Sequence, residues 1–359
     1  METETKYEWL LRKLKANILD GKYFVGSAFP SERALIARYG LSRNTVQHAL
    51  RELVRLGFIE SRRGAGSFVT KQGAARKIGL VVPGVAYSEF YPPFLSEMNR
   101  LASENGYTLL LGEVYSQSAK ARVRQVRALA QRFADEGVSG IVYQPFEFLK
   151  DSDLVNRELL SFFDASGIAV VLVAADIVPS PDRSAYDVVG INDFEAGRRL
   201  ALHLRQAGAR RVAFLLNENS NHSVQNRLIG VESVFSGNEE FTTVTAAATN
   251  VAAMRRLFSG TAVPDAIICR SDAVASRLVV TLRKLKKSVP GDVLLAGFND
   301  ISFASALDLT SVRVPATDIA NLAFHTLLAR IGNPKILPHE QVLPAPLVVR
   351  GSTRRTKRT

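Results

Sequence analysis

From Lys77 onward the sequence alternates short, largely apolar runs with longer stretches of helical periodicity. Ile78–Val82, Tyr107–Leu111, Gly140–Tyr143 and Ile168–Val173 are runs of the first kind. Between them, segments at 93–105, 120–136 and 154–166 repeat apolar residues along one helical face. Runs apolar on both faces must be buried on both faces, and a helix between successive strands makes them parallel. The pattern then starts again, with strands at 188–191, 211–216, 241–245, 266–269 and 293–298 and helices at 193–207, 223–236, 251–258 and 271–286. The predicted fold is α/β, with two successive doubly wound units forming two lobes around a cleft. Ligands in such sheets bind outside the carboxyl ends of the strands. Polar residues just past strand ends are therefore the candidates to hold one: Glu89, Tyr91, Gln144, Asp176, Asn219, Asp272 and Asn299.

The first 70 residues obey a different rule. Tyr7, Leu10, Leu11, Leu14 and Ile18 form a stripe at helical spacing over 5–20, closed by Gly21. Trp9 lies off that stripe, which predicts packing against a neighbouring subunit or domain. Ser31 can cap a short helix to Tyr39, and Gly40 supplies a turn where positive φ is cheap. Ser42 caps a second helix with Val46, Ala49, Leu50, Leu53 and Val54 on one face, and Gly57 stands where a left-handed C-cap belongs. Two β-rich runs, 58–61 and 67–69, bracket Arg62-Arg63-Gly64-Ala65-Gly66. This is the α+β pattern of a helix–turn–helix with a basic hairpin wing.

The polar face of the second helix opens with Ser42, Arg43, Asn44, Thr45 and Gln47. Side chains in the first turn of a recognition helix reach base edges in the major groove. Arg43 can fork onto a guanine, and Asn44 or Gln47 can read an adenine. Arg33, Arg62 and Arg63 are placed for phosphates, which set register without reading sequence. Gly64 and Gly66 would let the wing backbone approach a duplex.

Charge supports the division. Residues 1–77 hold 15 Lys and Arg against 7 Asp and Glu, whereas residues 78–349 hold 26 against 27. A basic small unit on a neutral body is the electrostatic footprint of a nucleic-acid reader. The last ten residues carry five more basic groups and read as a frayed, solvated tail. No apolar run approaches the ~18–20 residues that span a bilayer. The N-terminus lacks the apolar core of a signal peptide, and Cys269 is alone. These features predict a cytoplasmic protein with no membrane partner, no metal site and no cofactor. No G-x-S-x-G, H-E-x-x-H, P-loop or dinucleotide fingerprint is present, so an enzyme is not expected.

Pro30-Ser31-Glu32-Arg33, Ser42-Arg43-Asn44-Thr45-Val46 and Gly64-Ala65-Gly66-Ser67-Phe68-Val69 resemble the three winged-helix signatures of the GntR family of bacterial regulators. Gln47 departs from that pattern, where many members have Arg. The body resembles the effector domain of LacI-type repressors, which have the periplasmic-binding-protein fold. That likeness rests on Val188-Val189-Gly190-Ile191-Asn192-Asp193, Asn226-Arg227-Leu228-Ile229-Gly230, Ser271-Asp272-Ala273 and Leu295-Ala296-Gly297-Phe298-Asn299-Asp300. A GntR reader on a LacI-type body is the architecture of arabinose-repressor-type regulators.

The resemblance implies a winged helix–turn–helix at 1–70, a linker at 71–76, an effector and dimerisation domain at 77–353 and a basic tail at 354–359. It implies one lobe at about 77–186 and 315–339 and the other at about 187–314 and 340–353. Arg227 matches the arginine that grips sugar hydroxyls in such pockets, and Asp272 and Asn299 match positions that shape or line the far lobe. Asp272 alternatively caps its own helix. Ser271, Asn299 and Ala174 stand where Asn, Asp and Asp or Asn are usual, so several hydroxyl partners of a neutral sugar are missing. The expected function is that of a homodimeric regulator on a double-stranded DNA operator, a repressor released by a small carbohydrate-related effector. Activation, or co-repression by a non-sugar metabolite, is the alternative, and a solute-binding protein or an enzyme is the remote one.

Overall fold

In the computed structural model, residues 5–70, 76–82, 90–114, 119–146, 152–179, 181–216, 220, 222–235, 240–260 and 262–354 are described. The N-terminal unit is built from α1 (Lys6–Leu19), α2 (Glu32–Tyr39), α3 (Arg43–Arg55) and a hairpin of β1 (Ile59–Arg62) and β2 (Gly66–Val69). Each helix starts where its sequence offers a cap: Thr5 with Glu8 in a reciprocal capping box, then Ser31, then Ser42. Gly40 ends α2 at φ 63°, and Gly57 follows α3 at φ 72°. Leu10, Leu14, Leu35, Val46, Ala49, Leu53, Phe58 and Val69 close one small core. One expectation needs correction: Val54, about 100° around the helix from Leu53, is 40% exposed. Trp9 sets its ring edge on Tyr39 of the same unit, with centroids 5.8 Å apart, and is itself 37% exposed.

The body contains two six-stranded sheets. The first has the order β4-β3-β5-β6-β7-β13, all parallel, from β3 (Arg76–Val82), β4 (Tyr107–Glu113), β5 (Gly140–Tyr143), β6 (Ala169–Val173), β7 (Asp187–Ile191) and β13 (Glu340–Leu343). α4 (Tyr91–Glu104) and α12 (Ala316–Gly332) pack together on one face, and α5 (Ala119–Asp135) and α6 (Ser152–Ala165) on the other. The second sheet has the order β9-β8-β10-β11-β12-β14, from β8 (Arg211–Leu216), β9 (Glu240–Thr245), β10 (Ala266–Cys269), β11 (Leu294–Asn299), β12 (Thr310–Arg313) and the antiparallel edge β14 (Leu347–Val348). Its helices are α7 (Asp193–Gln206), α8 (His222–Glu232), α9 (Val251–Ser259), α10 (Asp272–Lys284) and the short α11 (Ser302–Ala306).

The lobe boundaries differ from those read in the sequence. β7 pairs with β6 through Val171 and Asp187, so the first lobe keeps residues 187–191 and the crossing falls after Ile191. β13 pairs with β7 from Glu340 to Leu343, which moves the third crossing to 344–346. Arg76, assigned to the linker, already pairs with Tyr107 in β3. The rest of the expected linker, 71–75, and the last five residues lie outside the described residues. Nor is the chain frayed from Arg350: a guanidinium nitrogen of Arg350 lies 2.7 Å from Asp300 Oδ1, and a 3-10 turn follows at Gly351–Thr353.

The head rests on the first lobe. Phe58 packs against Gly137, where an added Cβ would lie 2.6 Å from the ring. Arg76 Nε donates to the Leu19 carbonyl at 3.1 Å.

Candidate nucleic-acid interface and inter-lobe cavity

The cap of α3 decides what the head presents. The Thr45 amide donates to Ser42 Oγ at 3.2 Å, and the two hydroxyls lie 2.8 Å apart. Ser42 thus fixes the helix start, with Ser42, Arg43 and Asn44 exposed and Thr45 and Gln47 half-buried. Arg33 and Arg63 are exposed on α2 and the wing tip. Arg62 lies over the Phe68 ring at 4.6 Å and donates from Nε to Glu60 Oε1 at 2.9 Å. Gly64 and Gly66 hold φ 77° and 97°, and the Ala65 amide donates to the Arg62 carbonyl at 3.0 Å, folding the tip tightly. Every residue expected at the DNA is therefore on α2, on α3 or in the wing. One participant was missed: Glu32, whose carboxylate accepts from Arg43 Nε at 2.7 Å and from Gln47 Nε2 at 3.0 Å.

In the body, a cavity of about 270 Å³ lies between the lobes beside the crossing strands. Ala174, Asp176 and Gly190 line it from the first lobe, and Asn192, Asp193, Ser223 and Asn226 from the second. Arg227 stands behind Asp193. Its Nε donates to Asp193 Oδ1 at 2.7 Å, its Nη1 to the Arg270 carbonyl at 3.2 Å, and its guanidinium lies 4.6 Å from the Phe298 ring centroid. Burial holds the Asp193 carboxyl above the usual carboxylate range, against the opposing pull of the adjacent guanidinium. The pair exists because α7 and α8 touch backbone to backbone. A Cβ on Gly197 would lie 2.1 Å from the Arg227 carbonyl oxygen, and one on Gly230 2.0 Å from that of Phe194.

Asp272 is a correction. It is fully buried within the second lobe, accepting from Ser311 Oγ at 2.7 Å and from the Ile301 amide at 3.1 Å. It neither faces the cavity nor caps its own helix; it ties α10 to β12 and to the loop after β11. Burial pushes its carboxyl up to about 7, against the hydrogen bonds from Ser311 and Ile301. Gly297 leaves the room, since a Cβ there would lie 2.2 Å from Asp272 Oδ1.

Asn299 ends β11 with φ 104°, next to the ring under Arg227. Tyr91 and Gln144 are brought together, the phenol donating to Gln144 Oε1 at 2.9 Å, and both are buried at the carboxyl edge of the first sheet. Asp176 lines the cavity, but its oxygens accept from the Ile177 amide at 2.6 Å and the Ser184 amide at 3.0 Å and so close its own loop. Glu89 and Asn219 lie outside the described residues. Asp193 was not singled out in the sequence, because a partner 34 positions away leaves no local signal. No group of three or more metal-ligating side chains occurs among the described residues. Among them, too, no helix is long and apolar enough to cross a membrane.

Residues 6–69 match the gntR family of bacterial regulatory proteins, and residues 201–353 match the periplasmic binding protein-like domain. The chain is 24% identical over 336 residues to an arabinose metabolism transcriptional repressor of Halalkalibacterium halodurans, covering 88% of this chain and 86% of the relative. It is also 24% identical over 373 residues to the protein of that name from Geobacillus stearothermophilus, covering 98% and 99%. The solved complex of the transcriptional regulator CelR with cellobiose superposes with a TM-score of 0.65 at 21% identity, over 90% of this chain and all of that one. The chain therefore joins a GntR-family winged helix–turn–helix domain to a periplasmic-binding-protein-like domain.

Proposed function

We propose that this protein is a dimeric transcriptional repressor that reads a near-palindromic operator and is released by a small carbohydrate-related effector bound between its lobes. The observation that carries the reading is the exposed first turn of α3, Arg43 and Asn44, flanked by the arginines of the wing. Two such helices, one from each subunit, would enter successive major grooves. Arg33, Arg62 and Arg63 would hold phosphates, and Arg43, Asn44, Thr45 and Gln47 would face bases.

For the effector, the names of the relatives and the cellobiose complex favour a sugar. Asp193, which lines the cavity, and Arg227 directly behind it would meet its hydroxyls, joined by Asn299 and by the Tyr91–Gln144 pair. Binding shifts the lobes only as far as the ligand prefers one arrangement over the other. A chain that acts on chromosomal DNA works in the cytoplasm, and no catalytic step is assigned to it.

A second reading, a non-sugar metabolite, is favoured by Ala174, which brings a methyl group to the cavity wall, and by the internal bonds of Asp272. One experiment separates the readings. Genomic fragments are selected on the purified chain, and its melting point is screened against pentoses, hexoses, sugar acids and sugar phosphates and, in parallel, against non-sugar metabolites such as amino acids, nucleobases and carboxylic acids. Retention of a promoter fragment and its release by a stabilising sugar are expected. Stabilisation by non-sugar metabolites alone would favour the second reading, and retention of no fragment would refute both.

A further inference from the structure

α2 and α3 meet at one carboxylate. Glu32 Oε1 accepts from Arg43 Nε at 2.7 Å and Oε2 from Gln47 Nε2 at 3.0 Å, so two neighbours on one face of the recognition helix share an anchor. The two are affected differently. A guanidinium has donors only, so the bond on Nε aims Arg43 and leaves its outer nitrogens as donors. An amide is two-sided: Oε1 accepts, Nε2 donates, and a half-turn exchanges them with almost no change of shape. A carboxylate can only accept. Turning the Gln47 amide over would set oxygen against oxygen beside Glu32, so the nitrogen stays inward and Oε1 points away from Glu32. The hydrogen bond from Gln47, and then that from Arg43, hold the Glu32 carboxyl below its usual range, which keeps it ionised.

We propose that Glu32 is a specificity-determining residue: it fixes Gln47 as a hydrogen-bond acceptor toward the major groove, so that the base met there is recognised through an exocyclic amine. Adenine N6 and cytosine N4 are the amines exposed in that groove, whereas guanine O6 and thymine O4 would meet Oε1 as like partners. The inference rests on the assignment of α3 as the base-reading helix. It gives Gln47, whose amide could otherwise present either edge, a distinct reading rule.

The test uses the full-length chain and its Glu32→Gln and Gln47→Ala variants. Each is put through selection from random duplexes, and affinities for the best site are measured by fluorescence anisotropy at fixed salt. The pair whose preference disappears in Gln47→Ala is the one met by Gln47. Every base pair carries one amine-bearing base in the major groove. Replacing it by its analogue without the amine, purine for adenine or 2-pyrimidinone for cytosine, should weaken wild-type binding roughly 5- to 50-fold. The same replacement should matter little in Gln47→Ala. Glu32→Gln, whose amide tolerates either orientation of Gln47, should lose most of that sensitivity while keeping its preferences elsewhere. An analogue with no effect on the wild type, or full sensitivity in Glu32→Gln, overturns the proposal and leaves DNA reading intact. No enriched duplex for the wild type overturns both.

Discussion

Replacing Asp193 by Asn removes a charge and almost no volume, which makes it a clean test of the joint between α7 and α8. The Asp193 and Arg227 side chains are 6% and 10% exposed, and Nε sits 2.7 Å from Oδ1. At such burial the net worth of an ion pair is small, because desolvation of both groups offsets most of their attraction. Removing one partner is another matter. The Asp193→Asn change keeps an oxygen that can accept from Nε but removes its charge. The buried guanidinium is left with neutral partners, that amide, the Arg270 carbonyl and the Phe298 ring, and no counter-charge among the described residues. The expected loss is about 3–5 kcal/mol of stability, the range for a broken buried pair. Arg227→Met should cost a similar amount by stranding the carboxylate. The double variant, with neither charge left, should lose far less than the sum, a coupling of at least ~2 kcal/mol. Urea unfolding of the four proteins at one pH and one salt concentration supplies the cycle. Single variants within ~0.5 kcal/mol of wild type, a size ordinary for surface changes, or strictly additive losses would refute the reasoning.

Other consequences follow from the head and from the second lobe. Arg43→Ala should cost about 1–3 kcal/mol on the preferred duplex and relax selection at one base pair; an equal loss on every sequence would argue against base reading. Arg62→Ala and Arg63→Ala should weaken binding to all duplexes and lower the slope of log affinity against log salt by about 0.9 for each phosphate no longer neutralised. An unchanged slope would remove the wing from the phosphate-binding surface. Asp272, pushed up to about 7, binds its proton more tightly in the folded state than in the unfolded chain. Its contribution is therefore fully present below about pH 4 and lost as pH rises to 7, up to about 4 kcal/mol in all. Asp272→Asn should flatten that window in unfolding measured at pH 5 and 8, and parallel curves for variant and wild type would contradict the assignment.

How far the sequence could be read depended on the range of the interaction. The head was legible because its signals are local: Ser31 and Ser42 cap helices that begin at the next residue, and Gly40 and Gly57 adopt the positive φ that their positions suggested. The lobe membership of β7 was not. Its apolar run reads the same in either sheet, and only the pairing of Asp187 with Val171 decides. α12 follows the second lobe in the chain yet covers the first, a choice made by its packing on α4 and β6. At the cavity, Arg227 was found as a motif residue, but its partners Asp193, Phe298 and the Arg270 carbonyl come from three separate elements. Asp272 misled because a carboxylate after a strand end resembles a ligand contact, until Ser311, 39 residues on, claims it.

The most direct test of the account compares the affinity of the purified chain for a selected promoter fragment with that for random duplex, at one salt concentration, with and without a stabilising metabolite. The predicted ratio without metabolite is on the order of 10³ or more, falling at least tenfold when the metabolite is bound. A ratio near one, or a ratio that no bound metabolite alters, would contradict it.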